Sequence, residues 1–226
     1  MKILVLAPHV DDEVLGVGGT IAKLAAEGHS VIVAVLTGPG EGDHPLWPKE
    51  AWIPTRAECR RAAEVLGVHE VIFRDLPAAM LESTPVYKVN KVVQDVINLV
   101  NPDEMYIPFS QDLHFDHKAI AYAAMVASRP YLEQARGIRR VLAYETLSET
   151  FLAAPYLEAT FQPNVFVNIT KTLDTKCQAM ACYESQLQAD NQPRSIAAIR
   201  ALATIRGTHI GCEAGEAFLL LGEYQR

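Results

Sequence analysis

With 226 residues, half of them hydrophobic, the chain can bury one sizeable core, and a single α/β domain spanning 1–226 is the expectation. A formal net charge of -7 without a Lys/Arg cluster argues against nucleic acid as a partner, and no apolar run reaches the roughly 20 residues of a membrane span. The cysteines Cys59, Cys177, Cys182 and Cys212 form no Cys-x-x-Cys pair and the first apolar run is too short for a signal peptide, so reduced thiols and a cytoplasmic protein are expected.

In chain order, Ile3 to Ala7 reads as a buried strand that stops at a histidine and three acids, His9, Asp11, Asp12 and Glu13. A glycine-containing pattern follows and is helical by Ile21, with Gly28 placed to end the helix. Ser30 to Leu36 is a second buried strand. The connection Thr37 to Ile53 carries glycines and prolines among Asp43, His44, Trp47 and Trp52, and so long an irregular stretch predicts a functional loop or lid beside the first turn. Pro54 to Leu66 reads as a helix closed by Gly67, and Glu70 to Phe73 as a short strand. A loop from Arg74 to Pro85 leads to an amphipathic helix from Tyr87 to Val100. Asn101-Pro102-Asp103 breaks it, Glu104 to Ile107 makes a fourth strand, and a polar loop, Pro108 to Phe115, opens a helix from Asp116 to Ser128.

This alternation predicts a Rossmann-like, doubly wound, mostly parallel sheet in a three-layer α/β/α sandwich. Further strands are expected at Arg139 to Tyr144 and Asn164 to Ile169, separated by an irregular stretch. Thr170 and Thr172 are placed to cap a helix through Tyr183, and Pro193 to Thr208 reads as another. Phe218 to Leu221 is apolar but too short for periodicity to separate strand from turn.

Open α/β sheets place ligands at the carboxyl ends of their strands, where His9 to Glu13 falls. The second cluster, Asp112-Leu113-His114-Phe115-Asp116-His117, follows the fourth strand, and its histidines, three apart, share one face of a helical turn. Strands one and four deliver their loops to one sheet edge, so His9, Asp12 and His117 can converge. Two imidazoles and a carboxylate with an open position make the ligand set of a catalytic zinc. Glu13 is accounted for as a helix N-terminal acid, and His29, His69 and His209 as caps or dipole partners. His44 reads as a solvated loop residue. Gly16, Gly18 and Gly19 read as a device for packing the first helix on the sheet. They do not match Gly-x-Gly-x-x-Gly, and carboxylates stand where phosphates would sit.

The chain resembles the PIG-L/LmbE-like zinc-dependent deacetylases, which act on N-acetylglucosamine-type substrates. The resemblance is carried by Ala7-Pro8-His9-Val10-Asp11-Asp12-Glu13 with Gly18-Gly19-Thr20, and by His114-Phe115-Asp116-His117. Support comes from Arg56-Ala57-Glu58, Asn168-Ile169-Thr170, Lys176, Tyr183-Glu184-Ser185-Gln186, Arg206-Gly207 and Glu216-Ala217-Phe218. Val10 and Phe115 stand where the family usually has proline, which alters loop stiffness rather than ligands. The resemblance implies one Zn2+ per chain on His9, Asp12 and His117. It also implies Asp11 as general base, His114 as oxyanion stabiliser in its protonated form, Asp116 orienting a neighbouring imidazole, and Arg56 near the substrate.

The reading is a zinc-dependent hydrolase that releases acetate and a free amine from a small-molecule amino-sugar substrate. Two alternatives stay open: a metal-dependent amidohydrolase for another acyl amide, such as a modified antibiotic sugar or thiol-cofactor precursor, and a non-catalytic sugar- or nucleotide-binding module. Trp47 and Trp52, and the stretch from Glu145 to Pro163, are where substrate identity is expected to reside. Similar proteins often form homo-oligomers, and the apolar segment Ala154 to Phe166 would suit such an interface.

Overall fold

The computed structural model describes residues 1–225. Seven strands form one sheet: β1 (Lys2–Ala7), β2 (Ser30–Gly38), β3 (Glu70–Pro77), β4 (Glu104–Pro108), β5 (Arg140–Tyr144), β6 (Val165–Asn168) and β7 (Gly215–Glu223), in the order β3-β2-β1-β4-β5-β7-β6. The helices are α1 (Asp12–Ala26), α2 (Trp52–Leu66), α3 (Val86–Val100), α4 (Phe115–Ala127), α5 (Leu173–Ala181) and α6 (Ile196–Thr208). The pairs β3-β2, β2-β1, β1-β4 and β4-β5 are parallel, as the alternation predicts, while β7 runs antiparallel to both of its neighbours.

Strand periodicity divides the core. Ile3, Val5 and Ala7 pack with α1, α2 and α5, whereas Leu4 and Leu6 face α3 and α4 on the other side of the sheet. Every β1 residue from Ile3 to Ala7 is fully buried, so the strand reads as a continuous apolar run. The chain moves outward from β1 through β2 to β3, then α3 carries it across to β4 on the other side of β1. The switch point therefore lies between the carboxyl ends of β1 and β4, where doubly wound sheets open a crevice.

Several boundaries differ from the sequence expectation. The long loop is shorter: a 3-10 turn at Lys49–Ala51 leads into α2, which already contains Trp52 and Ile53. α6 starts at Ile196 because Ser195 Oγ accepts from Ala198 N at 3.1 Å. α5 ends at Ala181, and Thr172 stands at its N-cap as expected but makes no side-chain cap: its Oγ1 donates to Gly19 O, and Thr170 Oγ1 accepts from Ala214 N. The final apolar segment lies within a nine-residue strand. All four cysteines are free thiols, with Cys59 and Cys177 buried and Cys182 and Cys212 only partly so. Among the described residues, no helix is long and apolar enough to cross a membrane.

Gly16 packs against the sheet, because a Cβ there would overlap the Tyr144 ring. The other two glycines serve a different contact from the one expected. A Cβ on Gly19 would lie 2.6 Å from the Ile169 side chain, and one on Gly18 3.0 Å from Lys176 of α5.

Candidate active site

The turn after β1 is pinned by Thr37, whose N–H and Oγ1–H both donate to Pro8 O, at 3.1 and 2.7 Å. Asp11 then adopts φ 89°, a left-handed conformation uncommon for a residue with a side chain, of the kind that gathers at functional sites. Its carbonyl accepts the first helical bonds from Val14 and Leu15, but its side chain caps nothing. Asp12 Oδ2 accepts from His9 N at 2.9 Å, which fixes the turn internally. After β4, His114 is the N-cap of α4: its Nδ1 accepts from Asp116 N at 3.1 Å, and Asp116 and His117 follow in the first turn.

These two turns bring His9, Asp12 and His117 together. His9 Nδ1 lies 3.3 Å, and His117 Nε2 3.2 Å, from Asp12 Oδ2. Ligands at the usual zinc bond lengths of about 2.0–2.1 Å stand about 3.3 Å apart along a tetrahedron's edge, so the spacing fits. The far nitrogen of each imidazole is held by a carboxylate: His9 Nε2 by Asp116 Oδ2 at 2.9 Å, and His117 Nδ1 by Asp112 Oδ2 at 2.8 Å. Asp112 Oδ1 accepts from Thr150 Oγ1 at 2.6 Å, and Asp116 also accepts from the N–H groups of Ala79 and Leu81. Carboxylates that accept from the far ring nitrogen are usual outer partners of metal-ligating histidines. The buried atoms His117 Nε2 and Asp11 Oδ2 have no hydrogen-bond partner.

His9, His114 and Asp116 form a second grouping within ligand distance of one another. It fits an ion less well, because His114 Nδ1 is occupied by a backbone N–H and Asp116 by donors from His9, Ala79 and Leu81.

The electrostatics follow from crowding carboxylates out of water. Burial, then the charge of Asp12, raises Asp11 well above the ordinary carboxylate range. Burial would also raise Asp12, but the charges of His117 and His9 and their hydrogen bonds to it together outweigh burial and hold Asp12 far below that range. Burial opposes a charge on His9, yet hydrogen bonds to Asp116 and Asp12 push it up to about 9. His117 is raised likewise, against burial, by the charge of Asp12 and the bond to Asp112. A site in which imidazoles are driven to become cations has the field that suits a divalent ion. His114 behaves differently from the expected imidazolium. Burial and the positive charge of His9 lower it to about 4, and its accepting Nδ1 leaves the proton on Nε2.

A cleft of about 370 Å3 lies over this cluster, at the small end of the ~300–1,000 Å3 usual for small-molecule sites. It is lined by His9, Asp11, Asp12 and His114 of the cluster, by Trp47, Trp52 and Thr55, and by Glu149, Gln186 and Arg194. Arg194 Nη1 lies 3.6 Å from Asp11 Oδ2 and donates to Gln186 Oε1 at 3.2 Å. Sequence reading misses Asp112 as the His117 partner, although the acid precedes the histidine in the same short motif. It also misses Arg194, which comes from a segment without a spacing signal, whereas Glu149 lies in the stretch Glu145 to Pro163 singled out for substrate contact.

Arg56 does not line the cleft: its guanidinium pairs with Asp75 at 2.5 Å and lies over the Phe73 ring. Two expectations are corrected. Glu13 does stand in the first turn of α1, but it is buried and accepts a hydrogen bond from Tyr183 Oη, and burial pushes its pKa up to about 7, so the helix end is not its whole account. His44 is partly buried and bonded at both nitrogens, to Ala78 O through Nε2 and from Leu46 N and Trp47 N at Nδ1, because the loop folds around its ring.

Residues 4–128, more than half of the chain, match the family described as GlcNAc-PI de-N-acetylase, PIG-L. The chain is 29% identical over 198 residues to diacetylchitobiose deacetylase of Thermococcus kodakarensis, covering 84% of this chain and 71% of that one. It is 27% identical to a probable N-acetyl-alpha-D-glucosaminyl L-malate deacetylase 2 of Bacillus cereus, covering 83% and 84%. Its fold matches N,N'-diacetylchitobiose deacetylase from Pyrococcus horikoshii, complexed with an inhibitor, with a TM-score of 0.77 and 26% identity over 97% of this chain and 83% of that one.

Proposed function

The chain belongs to the PIG-L family of de-N-acetylases, and from that premise we propose that it is a zinc-dependent hydrolase removing acetyl groups from an N-acetylated amino sugar. The observation that carries the reading is the spacing of His9 Nδ1 and His117 Nε2 around Asp12 Oδ2, with Asp11 beside it bearing an oxygen that accepts no hydrogen bond. Zinc held by His9, Asp12 and His117 would supply a Lewis acid for the amide carbonyl and acidify water towards neutral pH.

The chain's own groups do the rest. Asp11 stands free of the ligand set, so it takes the proton of the attacking water and passes it to the departing nitrogen as the C–N bond breaks. Its left-handed backbone turns the carboxylate off the helix end, and Arg194 keeps a positive charge beside it. His114 donates from Nε2 to the oxygen that gains negative charge, acting as a neutral imidazole. Acetate and a free amine leave. Asp116 and Asp112 fix the tautomers of His9 and His117 through their far nitrogens.

The test is zinc content and acetate release from N-acetylglucosaminides for the wild type and Asp11→Ala. The expected result is about one zinc in both proteins, with release lost in the variant by about 10²–10⁴-fold, the range of a general base. Full activity in Asp11→Ala would remove Asp11 from this role, and wild-type protein without stoichiometric zinc would remove the metal.

A further inference from the structure

The cleft has a second half that the chemistry above does not use. Trp47 and Trp52, which meet edge-on at 5.9 Å, form an aromatic wall of the cleft, and His44, which does not line it, stacks on Trp47 with ring centroids 5.1 Å apart. Trp47 stands 42% exposed in the cleft, an unusual position for so large an apolar surface.

The wall is also fixed relative to the reacting centre. His44 Nε2 donates to Ala78 O at 2.9 Å, and the next residue, Ala79, donates its N–H to Asp116, the carboxylate behind His9. Two successive residues thus tie the aromatic wall and the His9 partner together. Ala79 holds φ 58° to do so.

Charge decides what such a wall can take. Among the described residues lining the cleft, Arg194 is the one Lys or Arg; its Nη1 is shared between Asp11 and Gln186, while its Nε has no hydrogen-bond partner. Glu149 adds an acid to the lining, and Arg56, which does not line the cleft, is paired with Asp75. An anionic group attached to the sugar would have this one arginine to turn to, in competition with Asp11, and the net charge of -7 repels it at longer range.

We propose that Trp47 and Trp52 form the platform for the sugar ring next to the acetylated one, and that this site selects uncharged N-acetylglucosaminides over those with an anionic aglycone. Sugar rings present apolar C–H faces that pack on aromatic surfaces, while their hydroxyls stay at the wet edge. The proposal rests on the deacetylase reading of the same cleft.

The chain contains two tryptophans, so its tryptophan fluorescence comes entirely from this wall and reports binding without turnover. Zinc-loaded protein is titrated with neutral N,N'-diacetylchitobiose and with N-acetylglucosaminyl malate, and kcat/KM is measured for both and for N-acetylglucosamine. The disaccharide is expected to shift emission saturably and to exceed the malate conjugate in kcat/KM by about ten-fold or more. Trp47→Ala should reduce the advantage of disaccharide over monosaccharide to about two-fold, mainly through KM, and Trp47→Phe should restore most of it. Equal or better use of the malate conjugate, or equal losses on every substrate in Trp47→Ala, would overturn the platform while leaving deacetylation intact. Saturable emission change without acetate release from any sugar would keep the platform and defeat the deacetylase reading. Neither signal with any sugar would defeat both.

Discussion

Two clusters of buried charge meet helix α1, one at its N-terminal end and one at its middle, and they are finished in opposite ways. At the middle, Lys176 Nζ bonds Glu216 Oε1 at 2.6 Å and Leu15 O at 2.8 Å, while Glu216 accepts from the N–H groups of Gly19 and Thr20. Both charges are paired and tied to the backbone, with the ion pair inserted into the hydrogen-bond ladder of the helix. At the N-terminal end, Asp11, Asp12, Asp112 and Asp116 crowd around His9 and His117, and Asp11 Oδ2 and His117 Nε2 have no hydrogen-bond partner. The closed cluster joins α1 to α5 and β7. The open one faces the cleft with groups aimed at something other than the protein, an arrangement that costs stability and suits chemistry.

Removing a group from each cluster should separate those two roles. His117→Ala should lose stoichiometric zinc and lower acetate release by at least about 10³-fold, because metal and water activation go together. Its fold, followed by circular dichroism, should persist. Retained zinc with retained turnover would mean that the open cluster is not the metal site. Glu216→Ala should do the reverse. It strands Lys176, which is about 5% exposed, and two backbone donors, a change that typically costs ~3–5 kcal/mol. Melting should fall by about 2–4 °C per kcal/mol, with turnover per folded molecule kept within about three-fold. Adding Lys176→Met should recover only part of the loss, since Gly19 and Thr20 still lack acceptors. Full recovery would show that the pair, and not its backbone bonds, is what the closed cluster contributes.

The open cluster is the more legible of the two in the sequence, for a physical reason. His9 to Glu13 and Asp112 to His117 are each local motifs at a strand-to-helix junction, and parallel alternation alone brings the ends of β1 and β4 to one edge. The closed cluster has no such local signature. Lys176 and Glu216 lie 40 positions apart, and Glu216 sits in β7, whose polar ends hide its nine-residue length from any reading of periodicity. The same limit hides Arg194, which arrives from a loop, and makes Glu13 look like an ordinary helix-end acid when Tyr183 from beyond α5 buries it. His44 is misread because its partner, Ala78, lies in a different loop.

A gentler change inside the open cluster sharpens the contrast. Asp112→Asn keeps the size of the side chain but removes the charge behind His117 Nδ1, and loss of such an outer partner weakens metal affinity by about 10–100-fold. Zinc competition with a chelator measures this directly. The closed cluster should be untouched, so melting of the zinc-free protein should move by no more than about 2 °C. Unchanged zinc affinity would mean that Asp112 serves packing through Thr150 and not the ligand.

The smallest expected effects lie between the clusters, on one face of α1. Ala at Gly16 or Gly18 gains about 1 kcal/mol of helix propensity, so the outcome turns on what the new methyl meets. At Gly16 it meets the ring of Tyr144, which is fully buried and held by its hydroxyl to Leu6 O at 2.9 Å. That ring has nowhere to go, so overpacking of about 1–3 kcal/mol outweighs the propensity gain and Gly16→Ala should melt lower. At Gly18 the methyl meets the Lys176 stem, Cγ at 3.0 Å, which can yield by rotation of its methylenes only as far as its bonds to Glu216 and Leu15 allow. Gly18→Ala should therefore melt within about 2 °C of the wild type. If Gly18→Ala instead falls as far as Gly16→Ala, the closed cluster is rigid along the whole lysine and not only at its charged end, and the two halves of α1 are held with equal stiffness.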